Sequence, residues 1–410
     1  QKATRIQEQT SGENDPQLAS SYNNLSNIYR TMGQLSDALA YRQKATHIQE
    51  QTLDKNDPQL VSSYCSLASI YKTMKRFLEA LSYQQKAIAI QEQTAGKNSL
   101  DLGIGYGIMA SIYKNMKQFQ EAVVYQQKSI AICEQISDKK RLQLIIAYNN
   151  MAGIYRDMKL FSEALSYQQK SIAIQEQASG KDHPELGISY SIMASTYKNM
   201  KRFEDALIYQ QKAIHIQAKT LGENHPDLAT SYNNLSLIYR AIKQLTQALE
   251  CQQKAIAIRE QKLDKNHPYL AVSYNNLSGI YHLMEQLPEA LAYQQKAIAI
   301  RERVLDPNHL DMLSSYNNLS AIYKDMGQFQ AALDYQQKSV AIRERILDKS
   351  HPDLALGYSY LSFIYKDMGR LSDALTHQQK CVAIREQAPE RNISDRANSY
   401  GHLASIYKDM

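Results

Sequence analysis

The sequence predicts an all-α protein, an α-solenoid of helix-turn-helix units, and three observations carry that prediction. Stepping by 42 residues from Tyr232 meets Tyr22, Tyr64, Tyr106, Tyr148, Tyr190, Tyr274, Tyr316, Tyr358 and Tyr400, with no insertion or deletion. A second ladder runs from Tyr29 through Tyr71 and Tyr113 to Tyr407, and a third from Tyr41 to Tyr335, with Cys251 and His377 as exceptions. These three phases hold 27 of the 29 tyrosines, so the aromatic content is architectural. Within each period the apolar residues fall into two runs at helical spacing. A fixed period of this length marks a repeat array in which each unit buries its faces against its neighbours.

The phases also set the expected boundaries. Residues 1–10 read as the end of a preceding unit's second helix, 11–388 as nine units of 42 residues, and 389–410 as the first helix of a further unit. Gln1 is in phase with Gln43 and Met410 with Met368, so both ends fall inside a unit and the chain reads as a segment of something longer.

Six of the units open at a proline. Pro226 followed by Asp227 suits a first helical turn, where no amide partner is needed and an acid meets the positive end of the dipole. Pro16, Pro58, Pro184, Pro268 and Pro352 hold the same slot. Tyr232, Leu235, Ser236, Tyr239 and Ile242 then form the expected buried stripe of the first helix; most copies have methionine in the last of these positions. A break follows at Lys243 and Gln244, where other copies have Gly33, Gly327 or Gly369. The second helix starts at Leu245, keeps Ala248, Leu249, Ala255, Ile256 and Ile258 inward, and runs to about Lys262, roughly 25 Å at 1.5 Å per residue. Alanine in the Ala248 phase, nine times of nine, lets antiparallel helices approach closely. Phe77, Phe119, Phe161, Phe203 and Phe329, with Met32, Met74 and Met116, are expected to fill the remaining space, methionine as flexible packing.

Composition narrows the function class. Net charge is +6 over 410 residues, too dilute by itself to indicate nucleic acid or an anionic membrane. No apolar run approaches the roughly 20 residues of a membrane helix. Cys65, Cys133, Cys251 and Cys381 lie far apart in four different phases, which fits neither a metal knuckle nor a disulfide framework and points to a reducing, cytoplasmic setting.

The residues at this point carry a family resemblance. Tyr232, Leu235, Ser236, Tyr239 and Ala248 match the spacing of the tetratricopeptide pattern, and the eight extra residues lie in a longer second helix and its loop. With NNL in the first helix, EAL in the second, AIAIRE near its end and HPD opening the next copy, the array resembles the 42-residue tetratricopeptide repeats of kinesin light chains and their relatives. The resemblance implies a right-handed superhelix whose first helices line the concave surface. It also implies a role in binding rather than one particular activity, because such repeats serve motor adaptors, signalling scaffolds and the sensor ends of large ATPases.

Two departures from that pattern stand out. Gln84, Gln126, Gln168, Gln210, Gln252, Gln294, Gln336 and Gln378 occupy a position where the family has a large apolar residue. Either they bond from repeat to repeat, or each extends to the convex surface. The third copy carries Gly103, Gly105 and Gly107 within its first helix, which makes it either the weakest unit or a place of close approach.

No catalytic constellation emerges. SIYK at Ser69, Ser111 and Ser405 has the S-x-x-K spacing of acylating serines, yet here it is the repeat itself. His183, His225, His267, His309 and His351 share one loop phase but stand 42 residues apart, which makes them helix-start residues rather than metal ligands. Without a phosphate loop or paired carboxylates, the expectation is a non-enzymatic binding protein with no cofactor and no metal.

The binding face follows by subtraction. Opposite the stripe of Tyr22, Leu25, Ser26 and Tyr29 lie Ser20, Asn23, Asn24, Asn27 and Thr31, which should line the groove. Asn24, Asn150, Asn234, Asn276 and Asn318 share one phase there, the last four preceded by Asn149, Asn233, Asn275 and Asn317. An amide offers donor and acceptor together, as a peptide backbone requires; the alternative is that these amides tie neighbouring repeats to each other. Beside them runs a basic ladder of Arg30, Lys72, Lys114, Arg156, Lys198, Arg240, Lys324, Lys366 and Lys408, with His282 in the remaining place. Some of it is neutralised by Asp157, Asp325, Asp367 and Asp409, but cations in one phase still give a directional field. Ile104, Ile146 and Ile188, beside small Ser111, Gly153 and Ser195, should form shallow apolar pockets. The leading reading is a scaffold for an extended, acidic peptide or protein segment. The alternatives are the ligand-sensing repeats of a larger signalling ATPase, and a nucleic-acid groove, which is disfavoured because only Tyr360 and Phe363 offer stacking surfaces.

Overall fold

In the computed structural model the chain is a succession of helix pairs; residue 7 and residues 14–94, 99–135, 141–179, 183–306, 309–387 and 393–410 are described. First helices are α1 Pro16–Thr31, α3 Pro58–Thr73, α5 Leu100–Asn115, α7 Arg141–Asp157, α9 Pro184–Asn199, α11 Pro226–Ala241, α13 Pro268–Leu283, α15 Leu310–Asp325, α17 Pro352–Asp367 and α19 Ile393–Asp409. Second helices are α2 Leu35–Thr52, α4 Phe77–Thr94, α6 Phe119–Gln135, α8 Phe161–Ser179, α10 Phe203–Leu221, α12 Leu245–Lys262, α14 Leu287–Val304, α16 Phe329–Ile346 and α18 Leu371–Glu386. No strand occurs among the described residues, and none of their helices is long and apolar enough to cross a membrane. The chain divides into two compact units, Gln1–Lys201 and Arg202–Met410. Of the expected leading segment 1–10, all but Gln7 lies outside the described residues.

Local chemistry fixes the helix ends. Asp15 and Asp57 cap α1 and α3 by accepting from the amide two residues on, at 2.8 and 2.7 Å. His183, His225, His267, His309 and His351 do the same through Nδ1 at 3.1–3.4 Å, so the recurring loop histidine is a cap. Between the helices of a pair the chain must turn through positive φ. Gly33, Gly327 and Gly369 do so at 71–76°, while Lys75, Lys117, Lys159, Lys201, Lys243 and Glu285 accept the same geometry at 60–62°. At Lys117 the turn closes with Lys117 N–H donating to Lys114 O and Gln118 N–H to Tyr113 O, the backbone pattern of a left-handed helix cap.

Pair packing rests on small residues. All nine alanines of the Ala248 phase have no exposed surface. The facing serine bonds directly to the alanine backbone, Ser26, Ser236, Ser278 and Ser362 each donating to the carbonyl of Ala38, Ala248, Ala290 and Ala374 at 2.7 Å. The tyrosine ladders stack across the pair: Tyr29 on Tyr41 at 5.4 Å, Tyr71 on Tyr83 at 5.6 Å, Tyr323 on Tyr335 at 5.6 Å. Where His377 replaces the third tyrosine it stacks on Tyr365 at 5.3 Å. The methionine ladder lies further out than expected. Met74, Met116 and Met368 are half-buried at the edge of the core, and Met32 is exposed, because the stripe's last turn runs out beyond the shorter contact with the second helix.

The glutamine ladder is internal, and each bond crosses to the next repeat. Gln84, Gln126, Gln210, Gln252, Gln294, Gln336 and Gln378 are buried, and each Nε2 donates to a main-chain carbonyl 21 residues on, from Gly105 to Ser399, at 2.9–3.5 Å. Their position in the core leaves no route to the convex surface. The glycines of α5 are likewise explained by close approach. A Cβ at Gly105 would stand 2.8 Å from Gln91 Oε1, and one at Gly103 would stand 3.1 Å from Ile132.

Candidate functional site

The two members of each asparagine pair point differently. Asn24 and Asn150 are exposed, and Asn234, Asn276 and Asn318 are half-buried. The preceding residue turns inward: Asn233 is buried, while Asn149, Asn275 and Asn317 are half-buried. For Asn233 this corrects the expectation that both members line the surface. The inward carbonyls are used by the fold. Asn233 Oδ1 accepts from Asn276 Nδ2 at 2.9 Å and from Gln252 at 3.3 Å. Asn275 Oδ1 accepts from Asn318 Nδ2 at 3.0 Å and from Gln294 at 3.2 Å, and Asn317 Oδ1 from Ser339 at 2.7 Å. The outer amide of one repeat therefore tethers the inner amide of the repeat before, and the carbonyls of Asn276 and Asn318 have no partner among the described residues.

The basic ladder is organised by the same period plus one. Lys114 pairs with Asp157, Lys324 with Asp367 and Lys366 with Asp409, at 3.4, 3.4 and 2.7 Å, and His282 meets Asp325 at 2.6 Å. Each of these groups thus reaches the acid 43 residues on, in the next repeat, and not an acid beside it in sequence. Lys72 and Lys366 also donate to Ser111 and Ser405, at 3.3 and 2.7 Å. The position 43 on from Arg30, Lys72, Arg156 and Arg240 holds Thr73, Asn115, Asn199 and Leu283 instead, and no carboxylate lies within 4 Å of these four among the described residues. Lys198 is half-buried. Burial holds the Arg240 guanidinium below its ordinary pKa; burial and then Lys114 do the same for Lys72.

Apolar relief appears where the inward asparagine is missing. Its phase holds Cys65 and Gly107 in the second and third copies. A cavity of about 250 Å3 there brings together Lys72, Ile104, Ile146 and Asn150 with Gly107 and Ser111. A second, of about 530 Å3, shares the Ile104 wall and adds Cys65, Val61 and Gln91. Ile188 is exposed but lines neither. In the second unit, Asn317, Asn318 and Lys324 border a cavity of about 510 Å3 with Leu356, Tyr360 and Phe363. The four thiols are free; burial raises the pKa of Cys65 and Cys133 and pushes Cys251 to about 11, so these three stay protonated at neutral pH.

One set of residues went unnoticed in the sequence. The second helix ends with Gln49, Gln91, Cys133, Gln175 and Gln217 in one phase, which then continues as Arg259, Arg301, Arg343 and Arg385. Arg259, Arg301 and Arg343 are buried. The signal was present as QEQ giving way to RE after a run that ends in isoleucine in every copy.

Models of the tetratricopeptide repeat match residues 22–93, 59–135, 101–177, 143–214, 185–261, 237–303 and 269–345, and a second such model matches 354–388. The chain belongs to the tetratricopeptide-repeat family, whose fold is a scaffold for protein interaction. Similar solved structures include a putative kinesin light chain with nearly identical tetratricopeptide-like repeats from Podosopora anserina. It is 27% identical, covers 51% of this chain and 99% of its own, and has a TM-score of 0.47. The apo quorum sensor NprR from B. thuringiensis is 16% identical over 79% of this chain and 87% of its own, with a TM-score of 0.59. A signal transduction ATPase with a tetratricopeptide repeat sensor, from Pyrococcus horikoshii, is 16% identical over 89% of this chain and 51% of its own, with a TM-score of 0.58. At that identity the last two speak for the fold alone. No curated protein matches the chain.

Proposed function

We propose that the exposed face of the first helices holds an extended, acidic segment of a partner protein and does so without catalysis. The observation that carries this reading is the set of ladder cations with no acid 43 residues on, Arg30, Lys72, Arg156 and Arg240, in a fold that pairs Lys114, Lys324 and Lys366 across that interval. An acidic segment lying on either unit would complete the pattern there. Its apolar side chains would fit the cavity beside Ile104 and Ile146 on the first unit, or the one beside Leu356, Tyr360 and Phe363 on the second. The carbonyls of Asn276 and Asn318, without a partner among the described residues, supply acceptors for its backbone amides.

Fluorescence anisotropy with a labelled glutamate-rich peptide and an equally long single-stranded DNA tests the reading at two salt concentrations. The peptide should bind, and changing Lys72, Arg156 and Arg240 to Gln should slow its association and flatten the salt dependence. Preferential binding of the DNA, with a salt slope that drops by roughly one per lost cation, would replace the peptide reading with a nucleic-acid groove.

A further inference from the structure

Lys72 differs from other amines of the basic ladder in what surrounds it. Lys114, Lys324 and Lys366 each meet a carboxylate in the next repeat at 2.7–3.4 Å. The position 43 residues on from Lys72 holds Asn115 instead. Among the described residues Lys72 Nζ has the hydroxyl of Ser111, to which it donates at 3.3 Å, and no carboxylate within 4 Å. The charge it feels is a second cation: burial first, and Lys114 after it, lowers its pKa. A lysine that is desolvated and next to another cation is uncharged more often than an ordinary one, and the uncharged amine is the nucleophile.

The same amine lines a space that can hold what it attacks. The cavity of about 250 Å3 is bordered by Lys72 from α3, by Ile104, Ile108 and Ser111 from α5, and by Ile146 from α7. Gly107 gives this space no side chain, where other copies carry Asn149, Asn233, Asn275 or Asn317. Ile104 and Ile146 are exposed, so the space is open to solvent and its walls are apolar. Cys133 borders the cavity too, but it is buried and burial keeps its thiol protonated at neutral pH. The amine is therefore the available nucleophile at this place.

We propose that Lys72 is a site of covalent acylation, taking a short apolar acyl group from a thioester into the cavity beside Ile104 and Ile146. The uncharged Nζ attacks the thioester carbonyl, a C–N bond forms and the C–S bond breaks. The thiol leaves with the proton that the amine gives up. The product amide is neutral, so acylation removes one of the four ladder cations that have no acid in the next repeat. That consequence for binding rests on the acidic-segment reading; the modification itself does not.

The test incubates the full chain near neutral pH with the butyryl thioester of N-acetylcysteamine and reads acylation residue by residue by mass spectrometry. Lys72 should react about fivefold faster than ion-paired Lys114 and Lys324 and than exposed Lys75 and Lys117. Gly107→Asn fills the space with the residue that other copies carry there. Ser129 stands 22 residues on from Gly107, as Ser339 does from Asn317, whose carbonyl accepts from it at 2.7 Å, so the variant has a partner in place. It should bring Lys72 down to the rate of Lys114, with helicity by circular dichroism confirming the fold. Should it not fold, Ile146→Ser serves instead, in a phase that already holds Ser20, Ser62 and Ser314. Equal rates at Lys72 and Lys117 in the unaltered chain, or an acyl group on Cys133 in place of Lys72, would overturn the proposal. The butyrylated chain should bind the glutamate-rich peptide with a flatter salt dependence. Selective acylation with unchanged peptide binding would uphold the acylation site and count against the acidic-segment reading at Lys72 alone.

Discussion

The two units solve one junction in two ways. Where a second helix ends against the next first helix, residues 14 positions apart meet. In the first unit Ser63 donates to Gln49 Oε1 at 2.5 Å; in the second Arg259 and Arg301 donate to Ser273 and Ser315 across the same interval. Donor and acceptor have exchanged sides while the backbone register is unchanged. The consequences diverge. At Gly105 no hydroxyl stands opposite Gln91, whose Oε1 is buried without a partner among the described residues, and cavities open beside Ile104; Gln175 and Gln217 Oε1 are also buried without one, although Ser189 and Ser231 stand 14 residues on. The arginine version fills the junction and places charge under the face. A repeat can thus keep one fold and change what its junction buries, an amide in one case and a guanidinium in the other.

The difference is open to direct manipulation. The largest effect is expected from Arg301→Met, which removes the bonds to Asp311 O, Ser314 and the buried Ser315 and leaves the Ser315 hydroxyl without that partner, while keeping most of the side-chain volume. It should destabilise the second unit by about 2–3 kcal/mol, read as faster hydrogen exchange in α13 and α15 with no change in α5 and α7. Next in size is a pH effect confined to the second unit. His377 lies stacked on Tyr365 and Tyr358, and burial, then Lys380, lowers its pKa. The unfolded ring takes up a proton near pH 6.5 and the folded one only at lower pH, so stability should fall as pH drops through that range. His377→Tyr, which restores the ladder, should remove that loss in acid melting curves. Tyr106 and Tyr358, both pushed up to about 12 by burial and by hydrogen bonds to Glu92 and Glu344, have the opposite sense. Both units should weaken together as pH rises from about 10 to 12.

Smaller changes should improve the first unit. Gly105→Ser supplies the hydroxyl that Gln91 lacks and removes a mid-helix glycine; by analogy with Ser63 and Gln49 it should add about 1 kcal/mol. No gain in a denaturant titration would mean that the Cβ contact with Gln91 Oε1 outweighs the bond. Lys117→Gly, at a φ of 60°, should add up to about 1 kcal/mol, while the equivalent Gly327 already has this advantage.

The repeat, its helix pairs and its caps were legible because they rest on period and residue size: nine alanines in one phase permit only close packing, and His225 before Pro226 marks a helix start. Gln84 and its equivalents could be placed inside from a helical wheel, but their bonds to the next repeat depend on how repeats stack. The basic ladder was visible as a row, whereas the pairing of Lys114 with Asp157 was hidden. In sequence Asp157 stands directly after Arg156, which suggests that the two neutralise each other, yet the acid answers the lysine of the repeat before. The asparagine pairs misled for a related reason. Two adjacent residues on a helix differ by about 100°, enough to send Asn233 inside and leave Asn234 near the surface. Arg259, Arg301 and Arg343 looked like ordinary exposed charge at a helix end, and only the packing of the following helix buries them.

The central claim, that one repeated junction holds a buried amide in one place and a buried guanidinium in another, is tested most directly by hydrogen exchange on the unaltered chain and on the Arg301→Met and Gly105→Ser variants. Protection should fall on α13 and α15 in the first variant and rise on α4 and α5 in the second. A change of equal size in both units for either variant would contradict the account.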